Sequence, residues 1–117
     1  MSDGKDNIRA WVGALRSGEY KQASGALRKG DCFCALGVAC DLSGLGKWAG
    51  SEYRTRTDPT SCRLPVEVEV WLSVRDSDPD LVLSDQSVVN VSALNDVARY
   101  TFSDIADALE RTYLETP

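Results

Sequence analysis

Cys32-Phe33-Cys34-Ala35-Leu36-Gly37-Val38-Ala39-Cys40-Asp41-Leu42 holds three of the four cysteines and the densest apolar run of the chain, between two polar, turn-like segments. In a sequence that is 26% charged, such a run predicts the buried centre of the fold. Its period leaves two readings open. Cys34, Leu36, Val38, Cys40 and Leu42 alternate as a strand does, while Phe33, Leu36 and Cys40 fit one helical face. Gly44 follows closely and is placed to end a helix. We take a strand through Cys34 that turns into a short helix over Ala35–Leu42.

Upstream, Gly30-Asp31 reads as a tight turn. Short strands around Gly25–Arg28 and Cys32–Cys34 then form a small hairpin. Farther back, Ile8, Trp11, Val12 and Leu15 recur at helical spacing, which predicts a helix from about Asp3 to Ser17 with Trp11 as a core anchor. Asp3 and Asp6 stand where the helix dipole favours negative charge, Arg16 stands at the other end, and Gly18 suits a left-handed terminating residue.

Downstream, residues 43–63 are rich in Gly, Ser, Thr and Arg and read as a long surface loop. Trp48 and Tyr53 lie there beside Arg54 and Arg56, a composition common at binding surfaces. The alternative is that the two aromatics pack the loop down as anchors. Leu64-Pro65 opens the next element. Val66, Val68, Val70 and Leu72 alternate like a strand, but Pro65, expected at the first helical position, and the early Glu67 and Glu69 argue for a helix, which we take. Arg75-Asp76-Ser77-Asp78-Pro79-Asp80 is an acidic turn that lacks the central glycine and terminal glutamate of a calcium loop. Leu81–Leu83 and Val88–Val91 read as two short strands leading to Leu94-Asn95-Asp96. The last helix is capped by Thr101 with Asp104 three residues on, and Phe102, Ile105, Ala106, Leu109 and Tyr113 form its apolar face. The fold class is therefore α+β: one domain over residues 1–117, with a small antiparallel sheet packed against N-terminal, middle and C-terminal helices.

Composition removes several kinds of chemistry. The sequence has no histidine, so the commonest general base and a favourite metal ligand are missing. No apolar run approaches the roughly 18 residues that span a bilayer, and the polar start Met1-Ser2-Asp3-Gly4-Lys5 lacks a signal-type apolar region, so a cytosolic protein without membrane contact is expected. Ser24-Gly25 and Arg28-Lys29-Gly30 lack the spacing of a phosphate loop. The net charge of −5 is split: residues 1–63 carry +3 and residues 64–117 carry −8. With scattered cations on an acidic chain, direct nucleic-acid binding is not expected.

Trp11-x-x-Ala14-Leu15-Arg16-Ser17-Gly18-x-Tyr20-x-Gln22, then Gly25-x-Leu27, then Cys34-x-Leu36-Gly37-Val38-x-Cys40-Asp41-Leu42 resemble a family of small, largely uncharacterised proteins of tailed bacteriophages and prophages. The resemblance continues through Leu64-Pro65-x-x-Val68-x-x-Trp71-Leu72, Leu94-Asn95-Asp96 and Thr101-Phe102-x-x-Ile105-Ala106, and so covers most of the chain. It implies a phage protein made in the cytoplasm of a bacterial host, and it brings no activity, cofactor or catalytic residue with it. In many such relatives adjacent cysteines precede Leu-Gly-Val; Ala35 takes the second place here.

The expected function is non-enzymatic: a phage accessory protein that binds a host or phage protein through Trp48, Tyr53, Arg54 and Arg56. No cofactor is implied. The cysteines are read as buried free thiols; a zinc site on Cys32, Cys34, Cys40 and Cys62 is the metal alternative, although no second knuckle is present. Cys34, at the start of the short helix, is the sole position suited to a nucleophilic thiol. A further alternative is an acidic imitation of a phosphate backbone by Glu67, Glu69, Asp76, Asp78, Asp80, Asp85, Asp104, Asp107 and Glu110. A small-ligand protein would instead need a deep polar pocket.

Overall fold

A computed structural model describes residues 4–57 and 59–115. Helix α1, Gly4–Arg16, buries Ile8, Trp11, Val12 and Leu15, the stripe its sequence spacing predicts. The expected start at Asp3 lies outside the described residues. Gly18 follows at φ +79°, the left-handed turn that ends the element. Arg16 then reaches across to Asp107 at 2.5 Å and Glu110 at 2.7 Å.

Three short strands come next: β1 (Lys21–Gln22), β2 (Arg28–Lys29) and β3 (Cys32–Phe33). β2 and β3 form the expected hairpin about the Gly30-Asp31 turn, with Arg28 opposite Phe33 and Lys29 opposite Cys32. β1 lies on the other side of β3 and runs parallel to it. The strand-to-helix switch falls at Cys34, whose backbone is extended and whose Sγ accepts a hydrogen bond from the Gly37 N–H. Helix α2, Ala35–Ser43, follows, buried along Ala35–Cys40 and closed by Gly44 at φ +65°.

The stretch 43–63 is not a loop. It folds into an antiparallel meander of β4 (Lys47–Ala49), β5 (Glu52–Arg54) and β6 (Pro59–Thr60). The strands are too short to show period-2 alternation; cross-strand pairing and the burial of Tyr53 hold them.

Helix α3 covers Val66–Leu72, the helical reading of the alternating valines. Val68 and Leu72, four apart, face the core, while Val66 and Val70 are exposed. Pro65 stands one residue before the first helical position, not within it. The hairpin β7 (Asp80–Val82) and β8 (Val88–Asn90) leads to helix α4, Val91–Asp96. Asp78 caps α4 from outside by accepting from the Ser92 N–H at 2.9 Å, the Asn90 amide at 2.6 Å and the Ser92 hydroxyl. That is what the acidic turn does. Helix α5, Phe102–Leu109, carries the expected capping box of Thr101 and Asp104 and runs on into a π-helical turn, Glu110–Leu114.

The result is an α+β fold in which α1 packs on α2, α3 and α5. Its strands divide into three small sheets rather than one, with a parallel pair in the first. The Cα radius of gyration is 13.0 Å, near the ~13 Å of a compact domain this long.

The elements are pinned to one another at the start of α2. The Ala35 carbonyl accepts from the Trp11 indole at 2.9 Å, and the Ala35 N–H donates to Asn95 Oδ1 at 3.2 Å. Asn95, 2% exposed, also accepts from Gln22 at 2.9 Å and donates to the Ala23 carbonyl at 2.7 Å and to Asp96 at 2.8 Å. Gly37 lies against the Leu27 backbone so closely that a Cβ would stand 1.9 Å from the Leu27 carbonyl oxygen. Asn95→Ala strands the Ala35 N–H and the Ala23 carbonyl and is expected to lower the unfolding free energy by about 2–4 kcal/mol. Urea unfolding of the variant should show a lower midpoint with an unchanged slope.

Candidate functional site

Four aromatic rings form a continuous file across the first two sheets. Tyr20, just before β1, meets Phe33 edge-on at 5.2 Å; Phe33 meets Trp48 at 5.6 Å; Trp48 meets Tyr53 at 4.8 Å. Phe33 and Trp48 are half-buried, so the middle of the file is a partly open apolar floor. Asp41, on the outer side of α2, holds both ends of the open section by accepting from the Tyr20 hydroxyl at 2.7 Å and the Trp48 indole at 3.0 Å. Burial, followed by that carboxylate, pushes the Tyr20 phenol well above its ordinary pKa and keeps it a donor.

Arg28 covers the floor. The hairpin register puts it opposite Phe33, and its guanidinium carbon lies 5.8 Å from the Phe33 centroid and 5.6 Å from that of Trp48. Its Nε donates to the Gly30 carbonyl at 2.8 Å, which fixes the plane of the group. Among the described residues no carboxylate pairs with it. A cation above an aromatic face contributes about 0.5–1 kcal/mol at an exposed site.

Of the residues expected to bind a partner, Trp48 and Tyr53 come together and the arginines do not join them. Tyr53 is 1% exposed, and its hydroxyl accepts from the Gly46 N–H at 2.7 Å. It is a core anchor, the alternative the sequence had left open. Arg54 follows Tyr53 in β5 and so points to the other side of the meander, where its Nε donates to Glu52 at 2.6 Å. Arg56 lies with Arg54 along an open groove of about 400 Å³. The four therefore form no common surface. Arg28, Phe33, Tyr20 and Asp41 were missed, although the Gly30-Asp31 turn fixes the pairing of Arg28 with Phe33 and was itself legible.

In this structure the four cysteines are not gathered into one group. Cys34 and Cys40 are buried, Cys62 is exposed, and all four are free thiols. Among the described residues no three His, Cys, Asp or Glu side chains gather in a metal-holding group. Burial pushes the Cys34 thiol up to about 11, outweighing the Gly37 and Leu36 backbone contacts that act the other way, and it raises Cys40 strongly as well. Both are buried core thiols held in the protonated form, which disfavours Cys34 as a nucleophile.

Several carboxylates of the acidic half serve as structural ties. Asp78 and Asp104 cap helices, and Asp107 and Glu110 hold Arg16. Glu67 accepts from Thr55 at 2.9 Å and Thr57 at 2.8 Å, fastening the connection between β5 and β6 to α3. Partial desolvation raises the Glu67 carboxyl, but the bonds from Thr57 and Thr55 prevail and leave it below its ordinary range. Near Asn95, residues Gln22, Asp96, Arg99, Tyr100 and Thr101 line an open cleft of about 490 Å³ rather than a deep pocket.

A small α+β domain with a cation-covered aromatic face on its strand side is thus the class that fold and site define. Residues 5–113 match the family described as "Domain of unknown function (DUF8296)", and the chain belongs to that family. Comparison with curated proteins and with solved structures finds no match. Among the described residues no helix is long and apolar enough to cross a membrane.

A thiol reagent should modify Cys62 in the native protein, and Cys34 and Cys40 only after unfolding, as read by mass spectrometry of the labelled peptides. The Cys34 thiol titrates near 9 when unfolded and near 11 when folded, so the folded state holds more protons in that window. Its contribution to stability is full below about pH 9 and falls as pH rises toward 11, which melting temperatures across that range will show.

Proposed function

We propose that this chain is a non-enzymatic accessory protein of a bacteriophage that works in the host cytoplasm by binding a host or phage protein through the Arg28–Phe33–Trp48 face. One observation carries the reading: a half-open aromatic floor with an arginine fixed above it and, among the described residues, no acidic partner on the arginine. Trp, Tyr and Arg are enriched among the few residues that dominate the energetics of protein interfaces. The floor is rigid before any partner arrives, since Asp41 holds Trp48 and Tyr20 and the Gly30 carbonyl holds Arg28, and that lowers the ordering cost of association. The buried, protonated thiols and the lack of histidine support a non-catalytic role, and the sequence motifs support the phage origin.

The test is affinity capture from nuclease-treated bacterial lysate at physiological salt, with the wild type, Trp48→Ala and Arg54→Ala compared after circular dichroism has shown both variants folded. One protein should be retained by the wild type and by Arg54→Ala, and its retention should drop by about tenfold or more with Trp48→Ala. Equal retention by all three sinks the proposed face. Should Trp48→Ala fail to fold, crosslinking of the wild-type complex replaces it; crosslinks must then map to residues around Phe33 and Trp48.

A further inference from the structure

We infer that the cleft beside Arg28 is a carboxylate-binding site that receives a short acidic segment of the partner protein; this rests on the docking reading above and names the chemistry of what docks. Arg28, Lys29, Gly30, Gly50 and Ser51 line an open cleft of about 240 Å³. It lies between two hairpin turns of the same build. Gly30-Asp31 joins β2 to β3 and Gly50-Ser51 joins β4 to β5, each a two-residue turn whose glycine is left-handed, at φ +58° and φ +62°. Neither glycine has a neighbour within 4 Å of a Cβ position, so the mouth of the cleft is open.

The arginine is set for an anion. Its Nε is committed to the Gly30 carbonyl and its plane to the rings of Phe33 and Trp48, which leaves both Nη groups as the unspent donors. A guanidinium held in this way loses little rotamer freedom when it takes a carboxylate with two parallel hydrogen bonds. Among the described residues neither Arg28 nor Lys29 has an ion-pair partner, and Ser51 lines the same space. Residues 21–34 and 47–60, which carry both sheets, hold six Lys/Arg against three Asp/Glu.

Whole-molecule charge decides which anion fits. The chain carries −5, with 11 Asp/Glu in residues 64–117. A long polyanion such as a nucleic acid meets that field along its length, whereas a segment of a few residues meets only the local cations, because screening ends their reach within about 8 Å at physiological salt. The aromatic floor next to the cleft suits an apolar side chain neighbouring the carboxylate.

The experiment is a nuclear magnetic resonance titration of the full chain, following the Arg28 Nε–H and Trp48 indole N–H signals. The probes are blocked tetraglutamate, blocked tetraglutamine, inorganic phosphate and a short oligothymidylate. Tetraglutamate should move both signals saturably, tetraglutamine should move neither, and Arg28→Gln should weaken the tetraglutamate response by about tenfold or more. Arg28→Lys should fall between, since it keeps the charge and loses the planar fork. The inference is overturned by an equal response to tetraglutamine, by no response up to about 10 mM tetraglutamate, or by Arg28→Gln binding as the wild type does. Tighter binding of oligothymidylate would transfer the site to nucleic acid, and saturation by phosphate alone would make it a free-oxyanion site; either result also overturns it. Failure here leaves the docking face intact if the captured protein still depends on Trp48. Loss of that dependence removes both.

Discussion

Everything in this fold depends on satisfying the peptide of Ala35. It opens a helix whose first residues, Ala35–Cys40, are all buried, where the first N–H groups have no partner within the helix and water has no access. Asn95 supplies the acceptor for its N–H, Trp11 supplies the donor for its carbonyl, and Cys34 takes the Gly37 N–H through sulfur. The residues that answer this need come from α1, from the end of β3 and from α4, so meeting it brings the distant parts of the chain together. Gln22 then completes Asn95 and reaches on to the Tyr100 carbonyl at 2.7 Å, which extends the pin to the approach of α5.

How much of this was legible follows from how local each signal is. α1 and α5 carry full helical stripes with caps, and both were readable to within a residue or two. The valine run of α3 was ambiguous because a period of two and an i, i+4 pair share positions; Pro65 and the early glutamates tipped it correctly. The meander of 43–63 was invisible, since strands of two or three residues show no period and owe their existence to Tyr53 reaching the core. α4 was missed for a related reason: its cap is Asp78, more than ten residues upstream, which the sequence shows only as an acidic turn.

The candidate site was half legible. Trp48 and Tyr53 stood out by size, but which ring is buried depends on the Gly46 N–H donating to the Tyr53 hydroxyl, and no local pattern records that. Arg54 and Arg56 looked like companions because they are close in sequence; strand alternation sends Arg54 to the far side. Arg28 belongs with Trp48 through the contact of two separate sheets, a tertiary fact. The charge division along the chain was legible from the outset, and the structure gives part of it form: Lys21, Arg28, Lys29, Lys47 and Arg54 lie on strands, while Asp78 and Asp104 cap helices and Asp107 and Glu110 hold Arg16 of α1.

The three small sheets share one further property. Among the described residues no strand exceeds three residues, so every unpaired edge is short. An open edge is a hazard in proportion to the length of ladder it offers, because another chain must gain enough hydrogen bonds to offset the entropy of joining. Two or three residues offer too few. This domain can therefore expose many strand edges around its aromatic face and still resist stacking edge to edge, leaving side chains rather than backbone to decide what the face accepts.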